Sequence, residues 1–174
     1  MPHILHAKPF DEQKLAEVQG FDCGDNEWCP ELNDWIKGAR DKEHSALWSI
    51  ANKGNEVFLY YDETKLVGFG SLGFTSWRIP PPKGPPQEMA YIPMVAMDKQ
   101  FHGGPKGVPR EERYSHQIIR DLIARAKARP ENVALALHVN PKNGAAIALY
   151  SHFNFQRLDE FKGMVRMILA LKQP

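Results

Sequence analysis

The sequence predicts a mixed α/β protein, and three observations support this class. Short apolar runs rich in β-branched and aromatic residues occur at 56–62, 65–74 and 133–139. A long segment at 111–129 places its apolar residues at helical spacing. The predicted order of elements is a strand, helices, a hairpin, a strand, a helix, a strand, a helix and closing strands. This order favours a mixed sheet over a repeated βαβ unit.

The first half of the chain contains a predicted strand, two predicted helices and a predicted hairpin. In chain order, the strand and the two helices lie at 4–10, 11–18 and 30–51. In the second helix Leu32, Trp35 and Ile36 share one stripe, which is typical of a helix that packs one face on a core. The runs "EVFLYYD" and "KLVGFGSLGF" surround "DETK" and therefore predict a β-hairpin.

A proline-rich segment, "RIPPPKGPPQ" at 78–87, follows the hairpin. Such a segment stays extended and cannot continue a helix or a central strand. We interpret it as a long loop inside one domain, because neither side looks complete enough to fold alone; an interdomain linker is the alternative. "MAYIPMVAMD" at 89–98 then predicts a strand. Pro93 cannot donate to a ladder, so it predicts a bulge or a splayed strand there.

The second half alternates helices and strands. A loop punctuated by glycine and proline leads into the helix at 111–129. "VALALHV" at 133–139 predicts a buried strand, and "NGAAIALYSHF" at 143–153 predicts a short helix. "FQRLDEF" and "MVRMILAL" are the predicted closing strands.

Length and composition indicate one globular domain over residues 1–174. A chain of 174 residues suits a single domain with a sizeable core. Its 43% hydrophobic and 25% charged residues are typical of soluble proteins. No apolar run is long enough to span a bilayer, and "MPHILHAKPF" lacks the features of a secretory signal. We therefore expect a cytoplasmic protein with no membrane partner.

The cysteines do not favour a disulfide or a zinc site, and the net charge does not favour nucleic-acid binding. Cys23 and Cys29 are six residues apart, and no matching Cys or His pair follows at a zinc spacing. We interpret them as reduced thiols rather than a disulfide, and we expect no metal site. The net charge of +1 and the pI of about 7.8 give no general electrostatic case for nucleic-acid binding. A local basic patch created by folding is compatible with this balance.

The loop before the long helix has the features of a phosphate-binding segment. Gly103, Gly104 and Gly107 let the backbone turn sharply and present N–H groups. The N-terminus of the following helix adds a partial positive charge, and His102 and Lys106 add side-chain donors. An ordinary glycine-rich turn would explain the same residues. The loop matches neither the dinucleotide fingerprint nor the nucleoside-triphosphate loop.

Two motifs together resemble the GCN5-related N-acetyltransferases. The loop at 100–105, "QFHGGP", resembles the acyl-CoA signature of that family, Q/R-x-x-G-x-G/A. About forty residues later the chain resembles the family's late pattern, N-x-x-A-x-x-L-Y-x-x-x-G-F, with Asn154 in place of the last glycine. The matching residues of the late pattern are Asn143, Ala146, Leu149, Tyr150 and Phe155. The resemblance covers essentially the whole chain and implies the acyl-CoA N-acyltransferase fold, a mixed, mostly antiparallel and splayed sheet flanked by helices.

The front half is similar to the acetyltransferase-toxin branch of this family. The segment "FDCGDNEWCPELNDWIKGAR" resembles the F-x-C-G…L-x-x-W-L opening of those toxins, with a longer spacing. The match is carried by Phe21, Cys23, Gly24, Leu32 and Trp35.

One position in the loop at 100–105 departs from the family pattern. Pro105 stands where the signature has glycine or alanine, and proline has no N–H to offer a phosphate. Either the loop is longer and rearranged, or the helix begins early near Pro109, which suits a first helical turn.

The resemblance implies acetyl-CoA as the acyl donor. The strand before the loop would hold the pantetheine by backbone hydrogen bonds, and the loop would hold the pyrophosphate. The implied cofactor-binding residues are Val95, Ala96, Met97, His102, Gly103, Gly104, Lys106, Gly107 and Asn143. Asn143 is in addition a predicted N-cap of the short helix.

The resemblance also implies catalytic roles for two residues. Attack of an amine on a thioester requires a neutral amine, a donor for the oxyanion and a proton for the departing thiolate. Tyr150 would supply that proton, because a phenol is mostly protonated at neutral pH; packing in the short helix is the alternative. Glu88 is the candidate general base, and a solvated carboxylate at a strand end is its alternative. A lone histidine such as His138 is more often structural than catalytic.

Three functions compete at this point. The first is an N-acetyltransferase that acts on a primary amine of unknown class. The second narrows the acceptor to the α-amino group of an aminoacyl-tRNA, as in the toxin branch; the nearly neutral chain does not favour tRNA binding. The third is an inactive protein that binds CoA or mediates contacts, which Pro105 would explain. A homodimer is compatible with all three.

Overall fold

The computed structural model describes residues 3–78 and 85–172, and these contain eight strands and four α-helices. The strands are β1 (His6–Pro9), β2 (Glu56–Asp62), β3 (Lys65–Trp77), β4 (Gln87–Ile92), β5 (Val95–Met97), β6 (Ala134–Val139), β7 (Gln156–Phe161) and β8 (Met164–Ala170). The α-helices are α1 (Cys29–Lys37), α2 (Ala46–Lys53), α3 (Tyr114–Lys127) and α4 (Gly144–His152).

Strand pairing confirms the predicted mixed, mostly antiparallel sheet. The order of paired strands is β1–β2–β3–β4–β6–β8–β7, and β5 pairs with β3 off this path. β4 and β6 run parallel. The pairs β1·β2, β3·β4, β3·β5, β6·β8 and β7·β8 are antiparallel. A parallel pair needs a long crossover connection, and the chain between β4 and β6 supplies one that contains α3.

The chain forms two compact units. The first comprises Met1–Ser71 and Met94–Leu122, and the second comprises Leu72–Pro93 and Ile123–Pro174. β3 and α3 each contribute residues to both units. The assignment of residues 1–174 to a single domain stays a prediction.

The core of the first unit joins the front helices to the strands. Phe69 of β3 lies at its centre, with the rings of Phe21 and Trp35 at centroid distances of 5.2 Å and 5.5 Å. Leu59 of β2 and Ala96 of β5 belong to the same buried cluster. Burial of such side chains contributes about 1.5–3 kcal/mol each. The front segment is thus packed onto the sheet at β2, β3 and β5.

Two glycines in β3 allow its neighbours to approach closely. A Cβ atom at Gly68 would lie 2.5 Å from the carbonyl oxygen of Ala96 in β5. A Cβ atom at Gly70 would lie 2.9 Å from the side chain of Leu122 in α3. A larger residue at Gly68 would therefore push the backbone of β5 away from β3, and one at Gly70 would force the Leu122 side chain to move.

The two helices predicted in the front half differ from the observed ones. The segment 11–18 contains only a 3₁₀ helix, Glu12–Lys14, followed by turns, so the predicted α-helix is wrong. Its one fully buried residue is Val18, at 0% exposure. A short helix in water depends on packing of an apolar face, and this segment has too little of one.

The helix predicted at 30–51 is also wrong, because two helices stand there. α1 ends before Gly38, and α2 begins after Ser45, whose hydroxyl accepts a hydrogen bond from the Trp48 N–H at 3.1 Å. Ser45 is therefore an N-cap, a signal that can be found in the sequence. A Cβ atom at Gly38 would lie 2.6 Å from the Cβ atom of Ser45, so the bend between the helices is tightly packed.

The second unit is built on β6, the predicted buried strand. Leu135 and Leu137 are almost fully buried, with exposures of 0% and 1%. β6 pairs with β4 on one edge and with β8 on the other. The predicted closing strands and the predicted short helix are confirmed as β7, β8 and α4.

The segment predicted as one strand at 89–98 is interrupted. β4 ends at Ile92, Pro93 and Met94 follow, and β5 begins at Val95. β4 pairs with Gly73–Trp77 of β3, whereas β5 pairs with Gly68–Gly70 of the same strand. Pro93 thus lies at a break between two strands, where it removes no ladder hydrogen bond.

The proline-rich segment connects adjacent strands. Residues 79–84 of this segment lie outside the described residues. The strands on either side pair with each other, with Trp77 opposite Gln87. The segment is therefore a connection within one sheet rather than a linker between domains.

Cys23 and Cys29, further upstream, are buried free thiols. Within residues 3–78 and 85–172, no helix has both the length and the apolar character needed to cross a membrane.

Candidate functional site

The strand β5 presents the backbone that precedes the glycine loop. Its residues Val95, Ala96 and Met97 pair with Gly70, Phe69 and Gly68 of β3, respectively. Ala96 is buried at 8% exposure, and its neighbours on both sides are partly exposed. The predicted pantetheine-binding residues therefore form one short strand held along one edge by β3.

The loop after β5 is longer than the family signature. A 3₁₀ helix, Lys99–Phe101, opens it, and a second 3₁₀ helix, Arg110–Glu112, precedes α3. α3 begins at Tyr114, so the alternative in which the helix starts near Pro109 is wrong. Pro109 instead precedes the second 3₁₀ helix, and the additional residues form a separate turn.

Gly104 closes the base of the loop. Its N–H donates to the carbonyl of Phe101, and its carbonyl accepts from the N–H of Tyr114, both at 3.1 Å. The rings of Phe101 and Tyr114 are in edge contact at 5.9 Å. The Tyr114 hydroxyl donates to Asp62 at 2.6 Å, which fixes the first turn of α3 to the end of β2. The N–H of Gly104 is thus already used inside the loop.

The remaining loop N–H groups are available to a ligand. Within the described part of the chain, the N–H groups of Gly103, Lys106 and Gly107 donate no hydrogen bond. All three residues are exposed. Gly103 and Gly107 have φ values of +72° and +77°, a region that favours glycine. An anion could accept hydrogen bonds from these three N–H groups and from the Lys106 ammonium.

His102 contacts the end of β5. Its Nε2 lies 3.2 Å from the Met97 carbonyl oxygen, which can only accept, so Nε2 carries the hydrogen. His102 is exposed and stands directly before Gly103. The structure therefore places five predicted cofactor residues, Met97, His102, Gly103, Lys106 and Gly107, in one continuous segment.

Tyr150 lies in the second unit, near the C-terminal end of α4. It is 6% exposed, and its ring packs against Phe155 at a centroid distance of 5.7 Å. Its hydroxyl has no hydrogen-bond partner among the described residues. Burial raises the pKa of this phenol well above its usual range. The residue therefore stays protonated at neutral pH and keeps a free donor.

Asn143 and Glu88 have different surroundings. The Asn143 side chain accepts a hydrogen bond from the Ala146 N–H at 3.1 Å, which confirms it as the N-cap of α4. Glu88 is exposed near the start of β4, opposite Ser76 of β3. An exposed carboxylate at this place fits a solvated strand end as well as a base.

Comparison with solved structures gives similar chains over nearly their whole length. A bacterial toxin aligns with a TM-score of 0.73 and 18% identity, over 98% of this chain and 92% of its own. A second similar structure is a tyrosine-to-phenylalanine mutant of the toxin AtaT, bound to acetyl-CoA and to the C-terminus of the antitoxin AtaR. It aligns with a TM-score of 0.69 and 12% identity, over 96% of this chain and 93% of its own. A KacTA–DNA complex aligns with a TM-score of 0.67 and 15% identity, over 96% of this chain and 93% of its own. The chain has the acyl-CoA N-acyltransferase fold. No protein-family model matches the sequence, and no curated protein sequence does.

This acyltransferase fold also contains a polar cluster that the sequence did not predict. His138 of β6 is not isolated: its Nδ1 lies 2.7 Å from the Tyr91 hydroxyl, and its ring meets that of Trp77 at 5.0 Å. Arg166 stands opposite His138 in β8 and pairs with Asp159. Burial, followed by the nearby Arg166 charge, lowers the pKa of His138. The register of five strands, β3, β4, β6, β7 and β8, creates this cluster, and no local sequence signal indicates it.

A search for metal-binding groups gives no cluster of three or more His, Cys, Asp or Glu residues in the described parts of the acyltransferase fold. The loop after β5 instead offers exposed backbone N–H groups that have no acceptor among the described residues. The loop is therefore the best candidate for binding a charged ligand.

Proposed function

We propose that this protein is an acyl-CoA-dependent N-acetyltransferase that transfers the acetyl group of acetyl-CoA to a primary amine. The observation that carries the proposal is the β5–loop–α3 segment, with free N–H groups at Gly103, Lys106 and Gly107. A structure of similar fold, the AtaT mutant, holds acetyl-CoA. Because proteins of different function share folds, the free donors of this segment support the proposal more than the fold does.

Each part of the segment has a role in the proposal. The strand residues Val95, Ala96 and Met97 hold the pantetheine through their backbone. The N–H groups of Gly103, Lys106 and Gly107 bind the pyrophosphate, and the Lys106 side chain adds charge. Gly104 acts through shape, because both of its backbone groups are used to close the loop. The loop rearrangement removes the need for an N–H at Pro105.

The chemistry requires a proton donor for the departing thiolate, and we assign this role to Tyr150. The thioester supplies the acetyl group, and the amine nitrogen forms the new bond. A thiol has a pKa of about 8.5 and a phenol one of about 10, so a phenol stays protonated at neutral pH. Burial of Tyr150 strengthens this preference. Its hydroxyl, which has no partner in the described residues, is free to donate.

The reaction also needs a base that removes a proton from the amine. Glu88 is our candidate, since it lies at the exposed start of β4. An acceptor with a low amine pKa needs little help, because part of it is neutral at pH 7. An α-amino group has a pKa near 8, whereas a lysine side chain has one of about 10.4.

A second candidate acceptor is the α-amino group of an aminoacyl-tRNA. The observation that favours it is the similarity in fold to toxins that form complexes with antitoxins and DNA. In this case a protein partner with an antitoxin role would accompany the enzyme. The net charge of +1 argues against an RNA acceptor, because RNA binding depends largely on contacts between basic residues and phosphates.

A binding experiment tests the proposal. We expect millimolar acetyl-CoA to raise the melting temperature, and CoA to raise it somewhat less, because a ligand of the native state stabilises the protein. Acetylation of a panel of primary amines, followed by mass spectrometry, then tests the transfer. A protein that shows no thermal shift with either ligand is not an acetyltransferase. A shift without transfer to any amine or aminoacyl-tRNA would indicate an inactive CoA-binding protein.

A further inference from the structure

The front segment Phe21–Gly24, which we call the FDCG segment, contacts the start of the glycine loop directly. The Lys99 N–H donates to the Asp22 carbonyl at 2.8 Å. The Lys99 ammonium lies 2.6 Å from the Asp22 carboxylate. The first residue of the loop is thus held twice by one residue of the FDCG segment.

Asp98 connects the FDCG segment, β3 and the loop. It lies between β5 and the first 3₁₀ helix and is 5% exposed. One carboxylate oxygen accepts from the Gln100 N–H and the other from the Asp22 N–H, both at 3.0 Å. The Asp98 N–H donates to the carbonyl of Val67 in β3 at 2.8 Å. A buried carboxylate with two backbone donors is strongly held, because charge-assisted hydrogen bonds exceed neutral ones in strength.

The helix α1 supports the FDCG segment from the other side. The Asn33 side chain accepts from the Cys23 N–H at 3.0 Å and donates to the Asp22 carboxylate at 3.3 Å. The Gly24 N–H also donates to that carboxylate, at 2.9 Å. Gly24 has a φ of +110°, which disfavours other residues.

The apolar residues of the same segment anchor it in the core. Phe21 and Cys23 are buried at 2% and 4% exposure, and Phe21 packs on Phe69 of β3. Ala96 of β5 belongs to this cluster. The FDCG segment is therefore fixed by packing, and its polar groups can act as a rigid support for the loop.

We propose that Asp22, Asn33 and Asp98 are positioning residues that hold the glycine loop in the conformation that binds the pyrophosphate of acyl-CoA. This inference rests on the proposed function and assigns a role to the FDCG segment. The loop N–H groups of Gly103, Lys106 and Gly107 have no partners in the described residues to hold them. Their orientation must therefore come from the residues that lead into the loop. A preorganised site binds more tightly because the ordering cost is already met in the free protein.

The experiment compares two ligands in three variants. Asp98→Asn keeps the shape of the side chain but leaves a single oxygen to accept hydrogen bonds from the Asp22 and Gln100 N–H groups. Asn33→Ala removes the support from α1 and leaves Asp98 unchanged. Asp34→Asn is the matched control, because Asp34 is an exposed residue next to Asn33 on the same helix. Acetyl-CoA contains the pyrophosphate, and S-acetylpantetheine lacks it.

We expect Asp98→Asn to raise the Kd for acetyl-CoA by about tenfold or more, equivalent to roughly 1.4 kcal/mol. Asn33→Ala should raise it by a smaller factor, and Asp34→Asn should not change it. The affinity for S-acetylpantetheine, measured by competition, should stay within about twofold in all three, since the effect acts on the pyrophosphate. A general loss of folding would weaken both ligands together.

Each outcome separates this inference from the proposed function. Wild-type protein that does not bind acetyl-CoA would overturn the proposed function itself. Wild-type binding together with unchanged acetyl-CoA affinity in a folded Asp98→Asn protein would overturn only the positioning role. A parallel loss of both ligands would also overturn it. If Asp98→Asn does not fold, Asn33→Ala decides by the same criteria.

Discussion

At the scale of single residues, Tyr150 is the side chain to which we assign the proton-donor role. Its ring fills a buried position against Phe155, as an aromatic residue in a short helix would in any fold. Its hydroxyl has no hydrogen-bond partner in the described part of the chain, and its oxygen is not fully buried, so water can reach it. Packing explains the ring, and the proton-donor role that we propose would use the hydroxyl.

Replacement of Tyr150 by phenylalanine tests this role. We expect kcat to fall by about 10²- to 10⁴-fold, the usual contribution of a general acid. The Kd for acetyl-CoA should change far less, because the lost interaction matters mainly in the transition state. Steady-state kinetics with an amine from the panel and calorimetric titration measure the two quantities.

Tyr60→Phe is the matched control for this change. The Tyr60 hydroxyl donates to Asp121 at 2.8 Å, so its loss should cost stability by about 0.5–1.5 kcal/mol or more and leave kcat unchanged. If Tyr150→Phe behaves like this control, with full turnover and a changed melting temperature, Tyr150 is a core aromatic and another group protonates the thiolate.

At the scale of elements, β3 organises the strands on which the loop depends. It is 13 residues long, and it pairs with β5 through Gly68–Gly70 and with β4 through Gly73–Trp77. The absence of side chains at Gly68 and Gly70 sets how closely β5 and α3 lie against it. The glycines in "KLVGFGSLGF" weaken the strand as a local element and are required by its neighbours.

Gly68→Ala should therefore destabilise the protein. The added methyl group would lie 2.5 Å from the Ala96 carbonyl oxygen, and β5 must move to accommodate it. Overpacking of this kind costs about 1–3 kcal/mol of the free energy of unfolding. Urea denaturation followed by circular dichroism measures the change.

Gly144→Ala provides the opposite case. A Cβ atom there would meet nothing within 4 Å, and Gly144 is the first residue of α4. Alanine in a helix is favoured over glycine by about 0.5–1 kcal/mol, so this variant should be equal to or more stable than wild type. Equal stability of both variants would show that β5 is not held against β3 as closely as the structure indicates.

At the scale of the whole molecule, charge and fold similarity point to different acceptors. A net charge of +1 over 174 residues supplies little general attraction for RNA. The solved structures of similar fold include toxins, and one of them is bound to an antitoxin. Others are complexes with DNA. Their identity to this chain is 12–18%, so they establish the fold and leave the acceptor to experiment.

Salt dependence distinguishes the two acceptors. At saturating acetyl-CoA, we expect acetylation of a small primary amine with a kcat/KM for the amine that is nearly constant between about 50 and 200 mM salt, because such an acceptor has no phosphates. A tRNA acceptor would instead give a kcat/KM that falls steeply over the same range. A protein that acetylates aminoacyl-tRNA with this steep dependence, and no free amine, would replace our first candidate with the second.

The sequence alone determined the elements whose signals are local. Short apolar runs predicted the strands at 56–62 and 133–139, and the N-cap signal at Asn143 predicted the start of α4. The two motifs around Gly103 and Tyr150 predicted the fold by resemblance, and the strand pairing confirms it. The sequence failed at 11–18 and at 30–51, where helical spacing alone did not show that packing was insufficient or that Ser45 begins a new helix.

The tertiary structure decided what depends on contacts between distant segments. The FDCG segment meets Asp98 and Lys99 across more than seventy residues, and the pairing of β6 with β8 brings Arg166 opposite His138. It also showed that the loop N–H groups of Gly103, Lys106 and Gly107 are free, whereas that of Gly104 is used. Local propensity follows from neighbours in the chain, whereas hydrogen-bond partners follow from strand register and packing, which no short motif encodes.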